Sequence, residues 1–246
     1  MMRYALQWTR SLLFVGQIYL AMAVVGLLFF PWALLSDRGA RMGARTWCRW
    51  VRWTAAWMVG LKSEIRGKVP SGELLIAAKH QSFFDIILLF GAVPSGKFIM
   101  KRELLFTPVL GQYATRMGCI PVNRGKRGAA ISKMVADVKK SAEDHPGQLI
   151  IYPQGTRVPP GEKLPYKVGT AILYSQSGEP CVPVATNVGV FWPKRGIYRK
   201  PGTAVIEFLP VIEPGMPSKV FLAKIEADVE AASNRLMAEA GFHAED

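Results

Sequence analysis

Between Arg10 and Asp37 the chain carries no charged residue, and positions 12–35 are almost wholly apolar. As a helix this stretch is long enough to enter or cross a bilayer, whose hydrocarbon core is about 30 Å thick. The motif Ala21-Met22-Ala23 looks like a signal-peptide cleavage site, but the chain stays strongly apolar beyond it (Val24-Val25-Gly26-Leu27-Leu28-Phe29-Phe30). A mature secreted protein would turn polar there, so the segment reads as an uncleaved membrane segment.

The following segment extends this reading. Six of the seven tryptophans precede residue 60. Trp47, Trp50, Trp53 and Trp57 share one broad helical face, and Arg41, Arg45, Arg49 and Arg52 cluster on the other side. This is the pattern of a helix in the membrane interface, with indoles at headgroup depth and arginines on anionic lipid. Gly39 and Gly43 with Ser36-Asp37 supply a turn, so residues 1–60 are expected to form an antiparallel helical hairpin that dips into one leaflet. Residues 61–246 then form the second unit. The arginine excess after the first segment puts that unit on the cytoplasmic face, of a bacterial inner membrane in the simplest case.

Charge narrows the choice of partner. Residues 1–60 hold seven arginines against the single acid Asp37, residues 61–210 hold 21 basic against 10 acidic side chains, and the remainder holds three against seven. A net charge of +13 implies an anionic partner: nucleic acid, an anionic membrane or a phosphorylated substrate. Nucleic acid would explain the charge but not the apolar amino terminus. Cys48, Cys119 and Cys181 show neither paired nor metal-ligand spacing, which fits a reducing compartment and no metal.

From about Leu61 onward, short apolar runs alternate with helical patterns. Strands are expected at 74–79, 97–100, 119–122, 149–152, 181–186 and 204–209. Helices are expected at 83–90, 109–117, 129–141, 169–177 and, as a long closing element, 219–240. Strands separated by helices predict a layered α/β/α fold on a mostly parallel or mixed sheet. Pro183 lies inside one of these strands and must sit at an edge or a bulge.

At the end of the first strand stands His80-Gln81-Ser82-Phe83-Phe84-Asp85. His80 falls at a strand-to-helix turn, with Asp85 in the first helical turn and able to reach back to the imidazole. A base held by a carboxylate is half of acyl-transfer triad logic, here without an obvious serine or cysteine nucleophile. Ser82-x-x-Asp85 is equally a variant of the capping box, favoured whatever the chemistry. Two more strand ends carry arginines: Gly118-Cys119-Ile120-Pro121-Val122-Asn123-Arg124 and Tyr152-Pro153-Gln154-Gly155-Thr156-Arg157. Taken singly, an arginine at a strand end is more often solvated than functional.

In order and spacing these segments resemble the glycerolipid acyltransferases, the group that contains 1-acylglycerol-3-phosphate acyltransferase. His80 and Asp85 match the family's H-x4-D motif. The block from Lys101 through Leu104, Pro108 and Gly111 to Arg124 resembles its second motif, Tyr152 to Arg157 its third, and Val182-Pro183-Val184 its fourth; Leu164-Pro165-Tyr166-Lys167-Val168-Gly169 also fits. The resemblance covers roughly residues 74–186. It implies an acyl thioester on coenzyme A or acyl carrier protein as donor, a lysophospholipid hydroxyl as acceptor, and no further cofactor. His80 would be the general base, Asp85 its orienting carboxylate, and Arg157, Lys101 and Arg124 the grip on the acceptor's phosphate. Backbone amides of the His80 or Gly155 turns would hold the oxyanion, with Gln154, Gly155 and Thr156 shaping the site. Gln154 stands where the family most often has glutamate; glutamine keeps the shape and an acceptor but cannot act as a base. Alternatives of the same type are acylation of another lysolipid, such as lyso-ornithine lipid. A different class is a non-catalytic membrane lipid-binding protein, against which the intact His80 and Asp85 argue.

Overall fold

A computed structural model of the chain describes residues 1–122 and 127–243. Two helices open it, α1 (Met2–Leu35) and α2 (Asp37–Met58). Ser36 alone separates them, in extended conformation, with its side chain accepting the Arg38 N–H and capping α2. Gly39 and Gly43, expected at the turn, instead lie inside α2 as packing glycines. A Cβ on Gly39 would meet Trp32 at 2.6 Å, and one on Gly43 would meet Phe29 at 2.8 Å. The helices run antiparallel, and hydrogen bonds from polar side chains tie them together. Gln7 donates to the Val59 carbonyl, Gln17 to Thr54 Oγ1, and Trp47 to the Ile18 carbonyl, each at 2.9 Å.

The outer face of α1 is bare. Leu13, Leu20, Leu27, Leu28 and Leu35 are all more than half exposed. A continuous apolar surface of that extent marks contact with lipid or with another apolar surface. Among the described residues, α1 is the one helix long and apolar enough to cross a membrane.

The remaining elements form one mixed sheet of seven strands in the order β1-β7-β6-β2-β5-β3-β4. These are β1 (Leu61–Arg66), β2 (Leu74–Ala78), β3 (Lys97–Lys101), β4 (Ile120–Val122), β5 (Gln148–Ile151), β6 (Cys181–Thr186) and β7 (Gly202–Phe208). All neighbours are parallel except β6 and β7. Strand β2 is buried along its whole length, as a central parallel strand must be. Its side chains divide by the two-residue period. Leu74, Ile76 and Ala78 join a core with α2 and the helix α3 (Phe84–Ala92), whereas Leu75 and Ala77 join a second core on the opposite face. That second core packs against α5 (Arg127–Asp144), α6 (Val168–Ser177) and α8 (Ser218–Glu239). Three small elements complete the chain: a 3-10 turn (Arg102–Phe106), α4 (Leu110–Arg116) and the single-turn α7 (Val188–Phe191). The architecture is the expected α/β/α layering, and the helical hairpin contributes part of one layer.

Two features depart from the sequence reading, and a third resolves a choice that it left open. Strand β1 is absent from the expected set; it is an edge strand with polar residues at alternate positions, so it lacks an apolar run. Arg41, Arg45 and Arg52 do not face lipid. Arg41 donates to the Gly96 and Met117 carbonyls at 3.1 and 3.2 Å, Arg45 to the Val93 and Pro94 carbonyls, and Arg52 to Ser63 Oγ at 3.0 Å. Val93 and Met117 end α3 and α4, whose last carbonyls lack helical partners, and guanidinium groups satisfy them. Trp50, Trp53 and Trp57 remain exposed as a ladder of rings 5.3 and 5.8 Å apart. Finally, Pro183 lies in a central strand, at a bulge. Val184 pairs with Phe208 but Cys181 with Ile212, so residues 209–211 face only 182 and 183. The irregularity spares Pro183 the N–H that a regular ladder would require.

Candidate active site

The carboxyl ends of β2, β3, β4, β5 and β6 lie along one edge of the sheet, and His80 sits at its centre, just beyond β2. His80 Nδ1 is 2.9 Å from Asp85 Oδ1. Asp85 is 2 % exposed, and its second oxygen accepts the backbone N–H groups of Gln81 at 2.8 Å and Ser82 at 2.7 Å. Ser82 Oγ in turn accepts the Phe84 N–H at 3.2 Å. The cap and the histidine–carboxylate pair are therefore one structure. The turn that starts α3 fixes Asp85 from behind, and Asp85 fixes the imidazole through Nδ1, leaving Nε2 as the nitrogen free to act.

Tyr152, at the end of β5, covers the pair. Its ring stacks on His80 with centroids 3.9 Å apart, and its hydroxyl lies 3.4 Å from Asp85 Oδ1. Burial, reinforced by the Asp85 charge, pushes the Tyr152 phenol well above its ordinary range, so it stays a neutral donor. The segment after Tyr152 crosses the end of β2, where the Val158 N–H donates to the His80 carbonyl at 2.7 Å. It turns at Gly155, whose φ of +69° suits glycine. Gln154 is almost fully buried and donates to the Leu164 carbonyl at 3.2 Å, a bond that a glutamate could not make when ionised. Thr156 is exposed.

The expected phosphate ligands do not converge on one point. Arg157 is half-buried on the β6 flank of His80, and among the described residues its guanidinium makes one long contact, 3.4 Å, to the Lys194 carbonyl. Lys101 closes β3, two strands away on the opposite flank, roughly 10 Å along the sheet at ordinary strand spacing. It is exposed and pairs with Glu103 at 3.1 Å. Arg124 lies outside the described residues. The expected oxyanion amides are also engaged elsewhere: Gln81 and Ser82 serve Asp85, and the Gly155 N–H donates to the Tyr152 carbonyl at 2.8 Å.

Two structural residues went unnoticed in the sequence. Gln81 is fully buried, and its side-chain oxygen accepts the Gly189 N–H at 2.9 Å, tying α7 to the turn beside His80. Lys79, 3 % exposed, bonds both carboxylate oxygens of Glu230 in α8 at 2.6 and 2.7 Å; Tyr166 donates to the same carboxylate at 3.1 Å. Gln81 is part of the singled-out hexad, but the Lys79–Glu230 contact spans about 150 residues and has no local signature.

Cysteine nucleophiles are disfavoured by position. Burial pushes the Cys48 and Cys181 thiols up to about 12 and raises Cys119, so all three stay protonated at neutral pH. Ser82 is fully buried and committed to the helix cap.

Comparison with known proteins places the chain in a family. The family model Acyltransferase matches residues 61–187. A 1-acyl-sn-glycerol-3-phosphate acyltransferase of Pseudomonas aeruginosa is 29 % identical over 241 residues, covering 95 % of this chain and 92 % of that protein. One from Limnanthes alba is 28 % identical over 195 residues, covering 78 % and 68 %. The crystal structure of the 1-acyl-sn-glycerophosphate (LPA) acyltransferase PlsC from Thermotoga maritima shares the fold, with a TM-score of 0.78 at 19 % identity over 96 % of this chain and 99 % of that one. The matched region runs from β1 to the residue after β6 and contains the whole strand-end arrangement around His80 and Asp85: the chain belongs to the acyltransferase family.

Proposed function

We propose that this acyltransferase moves a fatty acyl group from an acyl thioester, on coenzyme A or acyl carrier protein, to the sn-2 hydroxyl of 1-acylglycerol-3-phosphate, forming phosphatidic acid. The observation that carries this reading is the His80–Asp85 pair, braced by two backbone amides in a site whose nearest serine is committed to a helix cap. The relatives named for this activity support the choice of acceptor.

His80 Nε2 takes the proton of the lipid hydroxyl as its oxygen attacks the thioester carbonyl carbon. Asp85 holds the tautomer with Nδ1–H and stabilises the imidazolium that forms. The tetrahedral oxyanion collapses, the C–S bond breaks, and the imidazolium returns its proton to the leaving thiolate. The acyl group passes directly to the lipid, so no acyl-enzyme is formed. Arg157 holds the acceptor's phosphate nearest His80, since its planar fork matches phosphate geometry and its one protein contact is long. Lys101 and Arg124 would supply the outer positive field at the ends of β3 and β4.

The hairpin sets the address. Helix α2 runs beside α1 over most of its length, from Trp32 to Gln17, while packing on the sheet, which favours α1 entering one leaflet over crossing the bilayer. The catalytic edge then faces the cytoplasmic leaflet of, in the simplest case, a bacterial inner membrane.

The purified protein should acylate lysophosphatidic acid at least tenfold more efficiently than lyso-ornithine lipid or zwitterionic lysophospholipids, measured as kcat/KM with acyl-coenzyme A and acyl carrier protein donors. Preference for a phosphate-free acceptor would overturn the assignment. Arg157→Ala should raise the KM for lysophosphatidic acid about 10- to 100-fold, the worth of one charge-assisted hydrogen-bond set of about 1.5–3 kcal/mol. Its donor KM should change less than threefold; equal effects on both substrates would remove Arg157 from the phosphate site.

A further inference from the structure

Beside the amino-terminal half of α1 the surface changes chemistry in three bands. Leu13 and Leu20, which flank Gln17 on one helical face, are 61 and 66 % exposed. Next to them stands the ladder of Trp50, Trp53 and Trp57, and the Trp50 indole N–H donates to Gln17 Oε1 at 2.7 Å. Beyond the ladder lies a groove of about 330 Å³ between α2 and β1, lined by Arg49, Arg52, Trp53, Ala56, Lys62 and Ser63. Trp53 belongs to both ladder and groove, so the three bands are contiguous.

The groove is cationic and uncompensated. Arg49 and Lys62 are exposed, and among the described residues neither they nor Arg52 forms an ion pair with a carboxylate. The only acids in the sequences of α2 and β1, Asp37 and Glu64, are engaged by Arg41 at 3.9 Å and Arg66 at 2.9 Å. Arg52, half-buried and held to β1 through Ser63 Oγ, adds a third charge. A surface that passes from apolar through indole to cation repeats the order of a membrane surface, from hydrocarbon through the interface to phosphate. The position in the sheet agrees. Strand β1 runs opposite to β2, so its first residues lie along the same edge as His80, three strand spacings or about 14 Å away.

We infer that this groove binds the headgroup phosphate of an anionic membrane phospholipid, with Arg49 and Lys62 on the phosphate, Trp53 on the glycerol and an acyl chain over Leu13 and Leu20. The site is separate from the reacting centre, and its lipid is not consumed. A lipid held there fixes the bilayer surface at the catalytic edge, so a specific headgroup contact orients the protein on its leaflet in addition to the burial of α1. An anionic lipid is favoured over a zwitterionic one, which would bring a further cation into an already cationic groove.

Lipid binding, without transfer, tests it. Full-length protein in detergent micelles, titrated with phosphatidylglycerol or phosphatidylcholine and followed by native mass spectrometry, should retain one phosphatidylglycerol about tenfold or more tightly than phosphatidylcholine, as two cations on one phosphate imply. Arg49→Gln/Lys62→Gln should bring that ratio below about threefold. Lys68→Gln/Lys219→Gln, which removes two exposed cations that do not line the groove, should leave it within about twofold of wild type. Trp53→Ser, at a largely exposed position, should weaken phosphatidylglycerol about threefold or more. Equal affinities in the wild type, the same loss in both double variants, or unchanged binding to Trp53→Ser would each overturn the assignment. Displacement of the lipid by free glycerol-3-phosphate would also overturn it, by making the groove a site for a soluble phosphate. Loss of the lipid in Arg157→Ala but not in Arg49→Gln/Lys62→Gln would place it at the active site, with the same consequence. Because neither donor nor acceptor takes part, these results stand apart from the lysolipid panel.

Discussion

His80→Ala should lower kcat about 10²- to 10⁴-fold, the usual contribution of a positioned general base, or about 3–5 kcal/mol of transition-state stabilisation. The lysolipid hydroxyl is a weak nucleophile, and only Nε2 of an imidazole already fixed by Asp85 is placed to take its proton as it attacks. The truncation also removes the ring that stacks on Tyr152, so His80→Gln provides a control of nearer volume, and both variants should show the same loss. Membrane association and the far-ultraviolet spectrum should be unchanged, because Asp85 keeps its two backbone amides and the start of α3 with them. Single-turnover rates with saturating donor and acceptor make the measurement. Turnover within tenfold of wild type in either variant would remove His80 as the base.

Glu230→Ala should destabilise the protein by about 3–5 kcal/mol, as expected when one partner of a buried ion pair is removed and the other charge stays behind. Lys79 would keep an ammonium in a side chain that is 2 % exposed, and the Tyr166 hydroxyl would lose its acceptor. Burial beside Glu230 already holds the Tyr166 phenol well above its ordinary range, so it cannot ionise to pair with the lysine. The double variant Lys79→Met/Glu230→Leu should recover most of the loss, since apolar residues of similar size replace buried pairs at little cost. Urea or thermal unfolding of the three proteins in the same detergent decides the matter. A single-variant loss below about 1 kcal/mol, or a double variant no better than Glu230→Ala, would show that the pair is not held as the structure places it. The consequence reaches the active site, because this bridge straps α8 to the residue immediately before His80.

What could be read in advance divides by distance along the chain. The His80–Asp85 contact spans five residues across a strand-to-helix turn, and local backbone geometry forces it once those elements form. The same holds for most strands and helices, whose apolar periods are local. The α2 arginines were misread because a helical face shows where side chains project, not what meets them. The carbonyls that Arg41 and Arg45 satisfy belong to helix ends some 50 to 75 residues away. Strand β1 was missed for a related reason, as its strand character comes from pairing with β7, some 140 residues later. Pro183 was correctly required to sit at an edge or a bulge, but the choice depended on how many residues β7 and its continuation place opposite β6.

By itself the sequence determined the lipid-seeking character of the amino terminus, the alternation of strands and helices, and the pairing of a histidine with a carboxylate at one strand end. These follow from hydropathy period, turn chemistry and spacing, which act within a few residues. The tertiary structure decided the rest. It placed β2 at the centre, separated Arg157 from Lys101 onto opposite flanks, used the arginines of α2 to cap other helices, and locked Lys79 to Glu230. Those outcomes depend on burying two large cores at once and on pairing buried polar groups, conditions set by the whole chain and by no segment alone.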